Sequence, residues 1–134
     1  MSLENALTNT QKTVPECLAV GLVDMKTGML LGIRTLDKYS NEVLDLVAAA
    51  TGDMFQGQNV TMIESLIRKH RGQKEDGRHY FQEIVIMSDN VIHFFQRCKR
   101  NEDMVLVTVS RISANLGMVI AKARAGLAGV EAAV

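Results

Sequence analysis

Neither sign of charge dominates this chain. Fifteen Lys and Arg residues balance fifteen Asp and Glu residues, and the formal net charge is zero. No global basic field would draw it to nucleic acid or to anionic lipid, because both attractions scale with net positive charge. The cations are interspersed with acids, as where Arg97, Lys99 and Arg100 precede Glu102 and Asp103. No apolar run approaches the roughly 20 residues that a membrane-spanning helix needs. The segment from Met1 to Pro15 is polar and lacks the apolar stretch of a secretory signal, so cytoplasmic residence is expected. Cysteine is scarce too: Cys17 and Cys98 both fall in strand-like runs, where they read as small buried hydrophobes in a reducing compartment.

Motifs that carry chemistry are also missing. There is no G-x-x-x-x-G-K-[ST] loop and no G-x-G-x-x-G turn, so nucleotide phosphate has no ready cradle. Lys26-Thr27-Gly28 and Ser88-Asp89-Asn90 match two motifs of penicillin-binding proteins and β-lactamases, but no serine stands three residues before a lysine. Both read as turns. His79, His93 and Cys98 lie on neighbouring strand candidates, yet His93 and Cys98 are an odd number of residues apart and point to opposite faces. No metal or thiol site and no cofactor is expected. Acid pairs such as Asp37 with Glu42, or Glu75 with Asp76, are explained by solvation and helix capping. Arg97, Arg111 and Arg124 are each available as charged contacts. Nothing nominates a nucleophile with its base, and the chain reads as not an enzyme.

What is present is a sequence of secondary-structure signals. A chain of 134 residues makes one domain, residues 1–134, with room for a real core. Ser2 to Lys12 reads as a short helix that Pro15 ends. Cys17 to Asp24 is apolar on both pleat faces and so belongs in the middle of a sheet. A turn through Gly28 leads to a returning strand, Met29 to Arg34.

Ser40 is the expected N-cap of a long helical stretch, with Glu42 and Asp45 near its first turn. Val43, Leu46, Val47, Ala50 and Met54 form its first apolar stripe, and Ala48 and Gly52 lie roughly opposite, small enough to let another helix approach. Met62, Ile63, Leu66 and Ile67 are rotated away from that stripe. Either the helix breaks near Gly57-Gln58-Asn59, or its second half faces something other than its own sheet. Met54 and Met118 read as core filler and Met62 as a surface contact.

Arg71 to Arg78 is expected to be an exposed, mobile loop. His79 to Met87 carries polar groups on both faces, which suits an edge strand. Val91 to Cys98 places Ile92, Phe94 and Cys98 on one face, with Val91 and Phe95 on the other. Met104 to Ser110 is another central strand. A slim helix from Ser113 to Glu131 closes the chain, with Leu116, Val119, Ile120, Ala123, Leu127 and Val130 on one side.

This order resembles the roadblock (dynein light-chain seven) family. The resemblance rests on Leu18-Ala-Val-Gly-Leu-Val-Asp24 entering the Gly28 turn, on Val91-Ile-His-Phe-Phe-Gln-Arg97, and on Met104-Val-Leu-Val-Thr-Val109 leading into the slim helix. It implies an α+β, profilin-like fold: a five-stranded antiparallel sheet between one long helix and the two terminal helices. It further implies a homodimer joined through third strands and long helices. The implied function is a non-enzymatic regulator or scaffold that binds a Ras-like small GTPase or related signalling partner. The dimer contacts so implied are Ala48, Gly52, Met62, Ile63, Leu66, Phe81 and Val85. In that sheet order Cys17 and Cys98 stand two strands apart, roughly 9–10 Å and beyond disulfide reach. The alternative is a small-ligand sensor, since sheets covered by helices can hold pockets.

Overall fold

The computed structural model describes residues 2–74 and 78–134. The Glu75–Asp76 pair and the centre of the Arg71–Arg78 loop lie outside them. The elements run α1 (Leu3–Thr13), β1 (Cys17–Asp24), β2 (Met29–Thr35), α2 (Asn41–Gln56), α3 (Gln58–His70), β3 (Glu83–Met87), β4 (Val91–Arg97), β5 (Met104–Arg111) and α4 (Leu116–Ala132). Among the described residues the strands form one antiparallel sheet in the order β2-β1-β5-β4-β3. The two strands read as apolar on both faces, β1 and β5, stand side by side at its centre. Cys17 and Cys98 are both buried and unpaired, on β1 and just past β4.

Each face of the sheet has its own core. The terminal helices cover one face: Leu7 of α1 and Val119, Ala123, Leu127 and Val130 of α4 close over Val20, Leu22, Ile92, Phe94 and Leu106. The opposite face carries Val23, Phe95, Val105 and Val107 under Ala48 and Phe55 of α2. The alternation read in β4 is therefore observed, with Phe94 and Phe95 in different cores. Met118 departs from its reading and is exposed.

Ser40 caps α2, its hydroxyl accepting the Val43 N–H at 3.3 Å. Of the two alternatives for the long helical stretch, the break is the one observed: α2 and α3 divide at Gly57. There the backbone becomes extended (φ −57°, ψ 151°), and a Cβ would stand 2.6 Å from the Asp53 carbonyl oxygen. Only glycine allows the two helices to be joined so tightly.

The face that α2 turns inward also differs from the reading. Ala48, Thr51 and Phe55 are its buried residues. Val43, Leu46 and Val47 remain exposed. The stripe does lie over the sheet: Val43, Val47, Ala50 and Met54 line an open apolar cavity of about 420 Å³ between α2 and the strands, and Met54 also packs against the core on that face.

Candidate interaction surface

An edge strand exposes unpaired backbone groups, and natural sheets blunt such edges with bulges, charges or covering elements. The two edges here are treated differently. In β2 the register slips so that Leu22 faces Gly32 while Val23 faces Leu30, leaving Leu31 as an extra residue. Such a bulge bends a strand and discourages pairing. Strand β3 pairs with β4 without irregularity from Glu83 to Met87. Its Val85, Ile86 and Met87 side chains are all exposed. The edge most suited to pairing is thus the one left apolar and regular.

Helix α3 shows a second apolar row. Met62, Ile63 and Leu66 are exposed, at 54%, 48% and 58%. Glu64 is the buried residue of this helix, and at ~100° per residue Met62 and Leu66 lie about 160° from it on either side. The helix therefore holds a carboxylate inward between the half-buried Val60 and Ile67, and presents Met62, Ile63 and Leu66 outward.

Residues 79–82, expected to begin the third strand, instead form a strap held by side chains. Glu64 accepts the N–H groups of Tyr80 at 2.5 Å and Phe81 at 2.9 Å. Its other oxygen lies 3.4 Å from Nδ1 of His79. Glu102 accepts the His79 N–H at 3.2 Å and the Gln82 side-chain amide at 3.3 Å. Arg97, buried at 2% exposure, donates from Nε to the Phe81 carbonyl, from Nη1 to that of Glu102 and from Nη2 to that of Phe55, each at 3.0 Å. The Arg97 guanidinium also lies over the Phe55 ring, 4.9 Å from its centre. Burial lowers its pKa, while Glu64, Glu102 and Asp103 raise it. An arginine that the sequence offers as an external contact is thus an internal fastener. Arg124 pairs with Glu83 of β3, and Arg111 is exposed.

Of the residues named for self-association, Met62, Ile63, Leu66 and Val85 are exposed on α3 and β3. Phe81 is half-buried in the strap. Gly52 is half-buried with open space where a Cβ would stand. Ala48 is the exception: at 1% exposure it belongs to the protomer's own core, because α2 turns its small residues toward the sheet. Sequence reading missed Glu64 and Arg97. A charged residue between apolar neighbours looks solvated until its long-range partners are known.

Potential chemistry elsewhere is muted. Burial, and secondarily Glu131, push the Cys98 thiol up to about 12, and burial also raises Cys17. Among the described residues no group of three or more His, Cys, Asp and Glu is placed to hold a metal ion, and no helix is long and apolar enough to cross a membrane.

No protein-family model and no curated protein matches the chain. Solved structures do. A Roadblock/LC7 domain from Streptomyces avermitilis is similar at TM-score 0.68 and 16% identity, over 98% of this chain and 97% of that one. An MglB in a tetrameric arrangement gives TM-score 0.71 and 20% identity, over 97% and 88%. The gliding protein MglB from Thermus thermophilus gives 0.67 and 19%, over 97% and 88%. Agreement along both chains, in a five-stranded antiparallel sheet with helices on both faces, gives this chain the roadblock fold.

Proposed function

We propose that this chain is a cytoplasmic, non-enzymatic regulator or scaffold that homodimerises and binds a Ras-like small GTPase or a related signalling partner. One observation carries the self-association: the regular, apolar edge of β3 lies on the same protomer as the outward apolar row of α3, while the other edge is bulged. Two copies joined edge to edge would continue the sheet and cover both rows. Each large side chain fully withdrawn from water contributes roughly 1.5–3 kcal/mol, so covering the exposed part of both rows on both copies would work against the entropy of association. The GTPase partner rests on the family resemblance, and similar solved structures include a gliding protein and a tetrameric MglB. The non-enzymatic part likewise rests on the family resemblance.

Light scattering at micromolar concentration should give twice the 14.8 kDa of one chain, and a monomer there would remove the proposal's foundation. The partner is tested by binding to purified Ras-like GTPases loaded with GDP or a GTP analogue. Affinity that depends on the nucleotide is expected, and no binding in either state counts against the partner assignment.

The cavity between α2 and the sheet favours a second reading, a sensor of a small apolar ligand. Its volume falls within the range of small-molecule sites. Its lining includes one imidazole, His93, whose pKa burial lowers, so the ring is neutral at physiological pH. A ligand-dependent rise in melting temperature without any protein partner would favour this reading.

A further inference from the structure

Glu64 is a charged residue kept out of water on a helix that leaves Met62, Ile63 and Leu66 in it. A buried carboxylate is costly unless its oxygens are satisfied, and a Leu at this position would fill the same space at no such cost. What a carboxylate adds is two acceptors of fixed geometry. Here one oxygen, Oε2, takes the N–H groups of consecutive residues, Tyr80 and Phe81, while the other, Oε1, faces Nδ1 of His79 at 3.4 Å. Those residues belong to the strap that runs directly into β3. The strap is fixed to the body by Arg97 and Glu102. Glu64 is therefore the buried point at which α3 is fastened to the lead-in of the edge strand, and Arg68, one turn on, adds an exposed bond to the Arg78 carbonyl at 2.9 Å and lies 5.4 Å from the centre of the Tyr80 ring.

The other end of α3 has no comparable restraint of its own. Gly57 begins the helix without a side-chain cap, and among the described residues no element apart from α2 packs extensively against α3. Loss of the carboxylate would leave α3 tied to the strap through the exposed Arg68 contacts, with Gly57 as its hinge, while β3 stayed laddered to β4.

From this we infer that Glu64 is a positioning residue for self-association. It holds the Met62–Ile63–Leu66 row and the β3 edge in one fixed relation, although it would touch no partner itself. This inference rests on the dimer reading above and assigns that surface its internal control.

The test compares wild type with Glu64→Ala and Glu64→Gln in the full chain. Three quantities are measured: hydrogen exchange at the Tyr80 and Phe81 amides, the dimer dissociation constant by sedimentation, and exchange at Val20 and Leu22 in β1. For Glu64→Ala, exchange at Tyr80 and Phe81 should rise at least tenfold and the dissociation constant at least tenfold, with Val20 and Leu22 unchanged. Glu64→Gln keeps the volume and one carbonyl acceptor, so it should recover part of both effects. A residue that merely stabilised the fold would move β1 exchange as well.

Dimerisation of Glu64→Ala as tight as wild type, with the strap amides deprotected, would overturn the positioning role and leave the dimer reading intact. Unchanged exchange at Tyr80 and Phe81 would overturn the fastening itself. A monomeric wild type would overturn the dimer reading and the positioning role together. If Glu64→Ala fails to fold, the Glu64→Gln comparison decides by the same readings.

Discussion

The guanidinium of Arg97 holds three carbonyls from three separate parts of the chain: the end of α2, the strap and the β4–β5 turn. Removing a buried, fully bonded charge leaves its partners unsatisfied and typically costs about 3–5 kcal/mol. Urea unfolding of Arg97→Ala should show a loss of roughly 3 kcal/mol or more, and Arg97→Lys should recover only part, since an ammonium cannot reproduce the fork. A loss under about 1 kcal/mol would show the fastening to be redundant. Cys98 makes a different forecast. Its thiol ionises near 9.0 when exposed but only near about 12 in the fold. The unfolded chain therefore releases this proton first, and stability should fall as pH rises from 9.0 toward about 12, by at most about 1.4 kcal/mol per pH unit. Cys98→Ala should flatten that part of the alkaline slope in thermal melts. Alkylation at about pH 8, just below the ordinary thiol range, should be slow for both cysteines until denaturant is added.

At the scale of elements, Gly57 sets the angle between α2 and α3. Gly57→Ala would press a methyl against the Asp53 carbonyl, so a drop in melting temperature with reduced helical circular dichroism is expected. An unchanged melt would mean that the junction relaxes without cost. What was legible in the sequence follows from how local each signal is. The β1, β4 and β5 runs declare themselves because alternation and β-branching are local properties. The stop before Gly57 was legible as one of two alternatives, from the rotation of Met62, Ile63 and Leu66 away from the first stripe. The inward face of α2 was hidden because Ala48 and Thr51 carry little hydropathy, while the louder stripe through Val43, Leu46 and Val47 stands off the sheet. The start of β3 was hidden for another reason. Tyr80 and Phe81 have strand-like side chains, but their backbone bonds go to Glu64, 16 and 17 residues earlier. The surface hydrophobes of the candidate site could be read from periodicity, and the charged residues that hold them in place could not.

For the whole molecule, Ile63 separates folding from association. It is half-exposed in the protomer, so a charge there costs the isolated fold little, typically within about 0.5 kcal/mol. In a joined pair the same charge would be buried without a counterion. Ile63→Asp should therefore sediment as a monomer while keeping its far-ultraviolet circular dichroism spectrum. A variant that remains paired would place the contact elsewhere than on α3.

The kink at Leu31 has a consequence for stoichiometry. A ribbon with two receptive borders can recruit copy after copy and polymerise without end. Here one border is spoilt, so once two copies have met along the other, both outward margins of the joined ten-strand ribbon are Leu31 kinks. In such a pair growth along the sheet would stop, and any larger ensemble would have to be built by stacking faces instead of lengthening the ribbon.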